Sequence, residues 1–388
     1  MLTKLNSKTL KNKVVGGFSS LTLAFILAAC GGESTTTTPE GGTETGGETT
    51  ETTTGSIELP FDDSVSLTGA GASFPASIYQ NWFVSLNEQV PQLQVNYQSV
   101  GSGAGIEQFT AGTVDFGASD VAMTDEQIAE IDRGVLLLPV TAGGIVFAFN
   151  VPGVEELNLS REVYVDIALG RITRWNDPRI AADNPDAQLP DLAITFVHRS
   201  DGSGTTGVLT KHLSAISPDW ESEVGSGTTV EWGNAGGTFI GSRGNEGVTA
   251  SIMQTEGGIG YIEYGYALNN DIPMASLQNA SGEFVYPTEE TTSATLGNVE
   301  LPDNLRAFIL DPEGANSYPI VTYTWILAYQ QYDDPQKAVA LEAAIQYALT
   351  DGQNVATELG YIPLPPNVAA RVAQAADQLT DEFTITVE

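Results

Sequence analysis

The chain has 388 residues, of which 15 are Lys or Arg and 49 are Asp or Glu, so its formal net charge is −34. A chain this acidic lacks the positive surface that general nucleic-acid binding requires, and a hydrophobic content of 41% excludes wholesale disorder. One cysteine and two histidines exclude an internal disulfide and a cysteine-based zinc or iron–sulfur site, and leave little for a Ser-His-Asp triad.

The first 29 residues are typical of an export signal. A basic stretch from Lys4 to Lys13 precedes an apolar run from Val14 to Ala29, which is short for a membrane-spanning helix. The run ends in LAACG at 27–31, which resembles the lipobox of bacterial lipoproteins, where the Cys is lipidated and becomes the new N-terminus. We predict removal of residues 1–29 and a lipid on Cys30; an ordinary signal peptide with a chance Cys is the alternative.

The segment after Cys30 has the composition of a linker. Of the 26 residues at 31–56, 11 are Thr, 7 are Gly and 5 are Glu. Because almost nothing in it can be buried, we expect residues 30–56 to form a disordered tether of about 28 Å average span. Residues 1–29 hold four lysines and no acid, so the chain without them carries a charge of −38.

From residue 57 the pattern changes to alternating short strands and helices, which indicates the α/β class. Apolar and β-branched runs predict strands at 65–68, 93–97, 114–118, 144–150, 194–197 and 259–264. Helical spacing of apolar residues predicts helices at 75–89, 163–168, 205–216, 247–253, 335–349 and 367–379. In the first helix, Ile78, Trp82, Phe83 and Leu86 are expected to form the buried face.

Three loops share one design, in which a strand end is followed by small residues and then by a helix start. They are GAGASFP at 69–75, SVGSGAG at 99–105 and RSDGSGTT at 199–206. A helix N-terminus presents unpaired N–H donors and a partial positive charge, and glycines let an oxyanion approach the backbone. The three loops together predict a tetrahedral oxyanion site, although each alone is also explained by helix capping. The Lys of a P-loop and a dinucleotide-binding GxGxxG are both absent.

Several segments resemble the phosphate-binding proteins that feed bacterial ABC phosphate transporters. The segments that carry the resemblance first are GAGASFP at 69–75, TVDFGASD at 113–120 and RSDGSGTT at 199–206. Further similarities are GRITRWND at 170–177, GGIGYIEYGYA at 257–267, YPI at 318–320 and YIPLP at 361–365. The resemblance extends from about residue 67 to residue 366, which is nearly the whole body of the chain.

The resemblance implies an α/β, two-lobed fold like that of type II periplasmic binding proteins, with the ligand in the cleft between the lobes. The chain would cross between lobes near 140–143 and 320–324. Lobe I would then comprise residues 57–141 and 322–388, and lobe II residues 142–321.

The resemblance also implies a set of phosphate-binding residues. They are Ser73, Phe74, Ser102, Asp120, Arg199, Asp201, Ser203, Gly204 and Thr205. Ser73 stands where the family usually has Thr; its hydroxyl and the Phe74 N–H would donate to the anion. Asp120 would be the one acceptor, and Asp201 would hold Arg199 in place.

An acceptor in an anion site is explained by the proton that phosphate carries near neutral pH, which it can donate to Asp120. Sulfate has no such proton, so sulfate and the Asp120 carboxylate would meet as two unpaired negative groups. A buried polar group left unpaired in this way permits discrimination between phosphate and sulfate by roughly 10⁴–10⁵. Taken singly, Asp120 could instead be a helix cap, and Arg199 could form a weak surface ion pair with Asp201.

Three further residues are of interest. His198 stands where relatives often carry a second Arg, and we interpret it as a strand-end residue. His212 lies on a predicted helix and is expected at the surface or at a cap. The glycine-dense segment 233–247 carries Arg243, either as a second donor at the cleft rim or within a flexible turn before a helix.

The predicted function is that of an extracytoplasmic, membrane-anchored lipoprotein in the cell envelope that captures inorganic phosphate and delivers it to the permease of an ABC importer. We expect a monomer without enzymatic activity, cofactor or metal. The alternatives are a receptor for another oxyanion such as sulfate or molybdate, a phosphatase-like enzyme on the same fold, and a sensor or adhesion lipoprotein. A phosphatase would need a nucleophile with a base, or metals.

Overall fold

The computed structural model describes residues 57–233, 235–297 and 299–387. The strands are β1 Val65–Gly71, β2 Leu93–Ser99, β3 Phe116–Ser119, β4 Val135–Asn150, β5 Asn158–Leu159, β6 Thr195–Arg199, β7 Thr238–Ser242, β8 Gly258–Glu263, β9 Ser276–Gln278, β10 Phe284–Val285 and β11 Val321–Tyr329. The predicted signal segment, Cys30 and the whole predicted linker lie outside the described residues.

The helices alternate with these strands, as the predicted α/β class requires. They are α1 Ala76–Gln89, α2 Ser102–Thr110, α3 Asp125–Ala129, α4 Arg161–Ala168, α5 Pro178–Asp183, α6 Gly204–Ile216, α7 Pro218–Glu223, α8 Gly244–Gln254, α9 Tyr264–Leu268, α10 Glu289–Gly297, α11 Pro335–Leu349 and α12 Pro366–Ala376. A 3₁₀ helix covers Asp351–Val355.

One eight-stranded sheet organises the body, with the strand order β2-β1-β3-β11-β4-β8-β6-β7. The strands β2, β1 and β3 are parallel, and so are β8, β6 and β7. Between these groups, β11 and β4 pair antiparallel with their neighbours. A smaller sheet of β10, β9 and β5 accompanies it.

Strand β4 is the longest element of the sheet, with 16 residues. Its first part, up to Gly144, pairs with β11, and its second part, Ile145 to Asn150, pairs with β8. The predicted lobe crossings near 140–143 and 320–324 thus fall inside β4 and at the start of β11. Nearly all of both strands is buried, which is why they read as continuous apolar runs.

The helices cover the sheet with the faces that their sequences predict. In α1 the expected face of Ile78, Trp82, Phe83 and Leu86 is buried. The indole N–H of Trp82 donates to the carbonyl of Gly352 at 2.7 Å and joins α1 to the segment after α11. Within the described residues, no helix is both long and apolar enough to cross a membrane.

Five strands were not predicted from the sequence: β5, β9 and β10, which form the smaller sheet, and two strands of the larger sheet. The segment 233–247 contains β7, which pairs in parallel with β6 from Thr195 and Thr238 onward. The other is β11, which pairs with β3 and β4 from far along the chain. Both strands depend on partners that local patterning does not reveal.

Candidate functional site

The three loops singled out in the sequence follow the carboxyl ends of β1, β2 and β6. Parallel strands deliver their loops to one edge of the sheet, so Ser73, Ser102 and Asp120, which follow the parallel strands β1, β2 and β3, emerge together. The loop after β6 supplies Ser203 and the first turn of α6.

The second and third loops touch each other. The backbone N–H of Gly103 donates to the carbonyl of Gly202 at 2.9 Å. Gly101 has φ +93°, and a Cβ at this position would lie 2.5 Å from Oδ2 of Asp201. Only glycine fits both the conformation and the space, so we expect this contact between loops to depend on Gly101.

Asp120 is a buried acceptor surrounded by hydroxyl groups. Its Oδ1 accepts from the Thr324 hydroxyl at 2.9 Å, and its Oδ2 accepts from the Thr205 hydroxyl at 3.4 Å. Burial raises the pKa of Asp120 to about 7, against the opposing effects of Thr324, Arg199 and Thr205. The carboxyl group can therefore exchange a proton near neutral pH.

Arg199 and Asp201 form a buried, two-point ion pair. The Nε and one terminal nitrogen of Arg199 donate to the two carboxylate oxygens of Asp201 at 2.8 and 2.6 Å. The Arg199 side chain is 1% exposed, so this is not a surface pair. Although burial lowers the pKa of the guanidinium, the hydrogen bond and attraction to Asp201 raise it above its ordinary value. Arg199 thus remains charged while held in one orientation.

The N-terminus of α6 packs against Asp120 and Ser102. Ser203 is the N-cap, and its Oγ accepts from the backbone N–H of Thr206 at 3.1 Å. A Cβ on Gly204 would lie 2.4 Å from Oγ of Ser102 and 2.7 Å from Oδ2 of Asp120. The absence of a side chain at Gly204 is what permits this close approach between loops.

The serine hydroxyls are arranged as donors. Oγ of Ser102 accepts from the backbone N–H of Asp120 at 3.4 Å, as Oγ of Ser203 accepts from Thr206. Because each oxygen already accepts an amide hydrogen, its own hydrogen is free to be donated to another group.

The backbone around Ser73 and Phe74 is held by two tyrosines. The hydroxyl of Tyr266 donates to the Ser73 carbonyl at 2.7 Å, and that of Tyr361 donates to the Phe74 carbonyl at 2.7 Å. Helix α1 begins at Ala76, after Pro75. Ser73 does not cap α1 with its side chain; its Oγ instead accepts from Asn245.

Asn245 is the site residue that sequence reasoning missed. It lies in the first turn of α8, and both its backbone N–H and its Nδ2 donate to Oγ of Ser73 at 3.0 Å. Its Nδ2 also donates to Oγ1 of Thr205 at 3.2 Å. The segment 242–245 after β7 has the same strand–loop–helix design as the other three loops, which is the signal that could have identified a fourth helix N-terminus.

These contacts join four of the nine predicted residues into one network. A chain of hydrogen bonds runs from Ser73 through Asn245 and Thr205 to Asp120 and on to Ser102. The other predicted residues border this network. Phe74 follows Ser73 in the chain, and Ser203 and Gly204 precede Thr205. The backbone N–H of Gly244, next to Asn245, donates to Asp201 at 3.2 Å.

The two histidines lie away from this network's hydroxyls. His198 is the penultimate residue of β6, as predicted for a strand-end residue, and stacks on Trp232 with a centroid distance of 5.1 Å. The expectation for His212 was wrong. It is fully buried between the Tyr164 hydroxyl, 3.0 Å from Nε2, and the Leu310 carbonyl, because it lies on the same covered face of α6 as Leu209 and Leu213.

Arg243 is exposed and directly precedes Gly244 and Asn245. Among the described residues it is the one arginine for which no carboxylate lies within ion-pair distance. The same part of the chain contains no group of three or more His, Cys, Asp or Glu side chains placed to hold a metal ion.

Comparison with known proteins identifies the family. A family model for a PBP superfamily domain matches residues 35–351. The chain belongs to the PBP superfamily. It is 41% identical over 318 residues to the phosphate-binding protein PstS of Haemophilus influenzae, covering 81% of this chain and 93% of that protein. It is 36% identical over 320 residues to PstS of Methanocaldococcus jannaschii, covering 77% of this chain and 82% of that protein.

Solved structures share the PBP fold. A high-affinity periplasmic phosphate-binding protein bound with phosphate has a TM-score of 0.68 at 20% identity, covering 84% of this chain and all of that chain. A phosphate-binding protein from Stenotrophomonas maltophilia has a TM-score of 0.63 at 20% identity, covering 80% and 93%. The predicted PBP-like α/β fold is confirmed.

Proposed function

We propose that this protein is a receptor that captures inorganic phosphate and delivers it to an ABC importer. The observation that carries the proposal is the burial of hydroxyl and amide donors from four helix N-termini beside Arg199 and the single acceptor Asp120. The curated relatives are named phosphate-binding proteins, which supports the same ligand. This donor set suits a tetrahedral oxyanion.

The proposed phosphate ligands are the predicted residues. The hydroxyls of Ser73, Ser102, Ser203 and Thr205 donate, together with N–H groups at Phe74, Gly204 and Thr205. Arg199 supplies a charged donor, and Asp201 keeps its guanidinium in place. Hydrogen bonds to charged groups contribute roughly 1.5–3 kcal/mol each, and their exclusion from water strengthens them.

Asp120 selects a protonated oxyanion. With a pKa raised to about 7 by burial, its carboxylate is a strong acceptor for the proton of phosphate. Sulfate offers no proton, so above pH 7, where Asp120 is ionised, its binding would place an unpaired carboxylate against an unpaired anion. This mismatch is the basis of the proposed selectivity for phosphate.

The lobes and the anchor belong to the same proposal. Lobe I comprises residues 57–141 and 322–388, and lobe II comprises residues 142–321; the pairing of β4 first with β11 and then with β8 supports this division. A lipid on Cys30 and the 31–56 tether keep a monomeric, extracytoplasmic body near the membrane that holds the permease.

Calorimetry with phosphate and sulfate on the phosphate-free protein tests the function. We expect tight binding of phosphate, weak binding of sulfate, and a smaller difference between the two in Asp120→Asn, because an amide can donate to either anion. Equal binding of both anions by the wild-type protein would refute the phosphate assignment. Phosphate release from an aryl phosphate would favour the phosphatase alternative instead.

A further inference from the structure

Asn245 lies at the centre of the hydrogen-bonded network and is itself fully buried. It comes from α8, an element whose N-terminus the sequence did not mark as part of the site. Its side chain reaches both Ser73, in the loop after β1, and Thr205, in the first turn of α6. It therefore contacts hydroxyls that belong to two different predicted lobes.

The orientation of the Asn245 amide is fixed by its other partner. Its Oδ1 accepts from the backbone N–H of Glu263 at 2.9 Å. Because a backbone N–H can only donate, this contact places the oxygen towards β8 and the Nδ2 towards the hydroxyls. A flipped amide would face an N–H with an NH₂ group and lose that bond.

This orientation determines what the hydroxyls can do. Oγ of Ser73 accepts two N–H groups, one from the Asn245 backbone and one from its Nδ2. Oγ1 of Thr205 accepts the other hydrogen of Nδ2. Both lone pairs of the Ser73 oxygen are thus occupied, so the Ser73 hydroxyl can act towards a ligand only through its own hydrogen. The Thr205 oxygen accepts one hydrogen, and its own hydrogen is donated to Oδ2 of Asp120 at 3.4 Å.

We propose that Asn245 is a positioning residue for phosphate binding, which orients the hydroxyl of Ser73 as a donor to the anion and holds the hydroxyl of Thr205 beside Asp120. This inference rests on the proposed function. An unoriented hydroxyl can turn its lone pair towards an anion, whereas an oriented one presents its hydrogen without reorganisation. Asn245 thereby favours an oxyanion over water or a donor ligand.

Asn245→Asp reverses the polarity without changing the shape. At pH 8 a carboxylate would accept hydrogens from Ser73 and Thr205, and would add a negative charge beside the anion. We expect phosphate affinity to fall by at least about 100-fold relative to wild type. If Asn245 served only the fold, Asn245→Asp would change the stability of the protein but not its affinity for phosphate.

A pH series separates positioning from structure. As the pH falls towards 5, the new carboxyl takes up a proton and regains one donor, so the ratio of the variant's dissociation constant to that of wild type should fall. The charged and titratable groups nearby are Asp120, Arg199, Asp201, Glu246 and Glu263. They are present in both proteins, so their common contribution divides out of the ratio, and what remains is the titration of the new carboxyl group together with its coupling to Asp120.

The comparison needs a second variant and a matched control. Asn245→Ala removes the donor without adding charge, and we expect about tenfold weaker phosphate binding with no recovery at low pH. Asn279→Asp is the control, because Asn279 is also fully buried and its Nδ2 donates to backbone carbonyls. This control should lose stability and keep its phosphate affinity.

The outcomes distinguish the two proposals. If wild type binds phosphate and either Asn245 variant that folds binds it within threefold of wild type, the positioning role is wrong and the proposed function stands. An Asn245→Asp ratio that stays constant from pH 8 to pH 5 also overturns it. If wild type itself does not bind phosphate, the proposed function fails. Isothermal calorimetry with inorganic phosphate, after circular dichroism to establish folding, provides every measurement.

Discussion

Replacing Asp120 by asparagine should make the phosphate-free protein more stable at alkaline pH. The Asp120 residue is 1% exposed, and its burial raises the pKa of its carboxyl group to about 7. In an unfolded chain an aspartate ionises near pH 3.9. Between these values the folded protein holds a proton that the unfolded chain has lost, so stability falls as the pH rises through this window.

The size of the effect follows from the difference between the two pKa values. A separation of about three corresponds to roughly 4 kcal/mol, lost from the wild-type stability between pH 4 and pH 8. The amide that replaces the carboxyl group in Asp120→Asn does not titrate, so the variant is spared this loss. The amide can also change the packing, but that effect is the same at pH 4 and at pH 8. The expected gain is therefore the change, between these two pH values, in the difference between the unfolding free energies of Asp120→Asn and wild type.

Urea unfolding of phosphate-free wild type and Asp120→Asn from pH 4 to pH 8 measures this change. Wild type alone is not enough, because burial also raises the pKa of Glu263 and of Glu342. Glu342→Gln is a matched control, because it also removes a buried carboxyl group whose pKa is raised. Unlike Asp120→Asn, it should leave the phosphate affinity unchanged. A stability difference between Asp120→Asn and wild type that is constant with pH would show that Asp120 is ionised throughout, and would refute the account of its proton.

Three other predictions concern charge and anchoring. Arg199→Ala should weaken phosphate binding by at least about 100-fold, because Asp201 is left as an unpaired buried carboxylate; calorimetry measures this, and a loss below tenfold removes Arg199 from the site. Arg243→Gln should slow phosphate association several-fold at low salt and little at high salt in stopped-flow experiments, more than the charge-matched Arg174→Gln. Equal slowing in both variants would exclude local steering. Cys30→Ala should move the protein from the membrane to the soluble fraction; continued sedimentation with washed membranes would exclude the lipid anchor.

The sequence was informative where structure is local. Helix α11 has the predicted bounds, and α1 and α6 begin within one residue of theirs, because apolar spacing and capping residues lie within the segment itself. The loops that carry Ser73, Ser102 and Arg199 were found for the same reason.

The rest depends on contacts between distant parts of the chain. Among the described strands, β7 pairs with β6 alone, and its largely exposed sequence, which follows a glycine-rich segment, gives no alternating pattern. Without β7, the sequence places the N-terminus of α8 and Asn245 in a turn. The raised pKa of Asp120 likewise requires the burial that Thr324 and Thr205 provide from other elements.

The arrangement also explains how a chain with a charge of −38 after its predicted signal can hold an anion. The charge of Arg199 is compensated by Asp201, and Asp120 adds either no charge or a negative one, so the described site has no net positive charge. Attraction must then come from oriented N–H and O–H dipoles, which act over a few ångströms and depend on direction. Such donors hold phosphate against an acidic surface, because salt screens the distant charges beyond about 8 Å. In the proposed site, selectivity therefore depends on where protons are placed, at Asp120 and at the Ser73 hydroxyl that Asn245 is proposed to orient, more than on net charge.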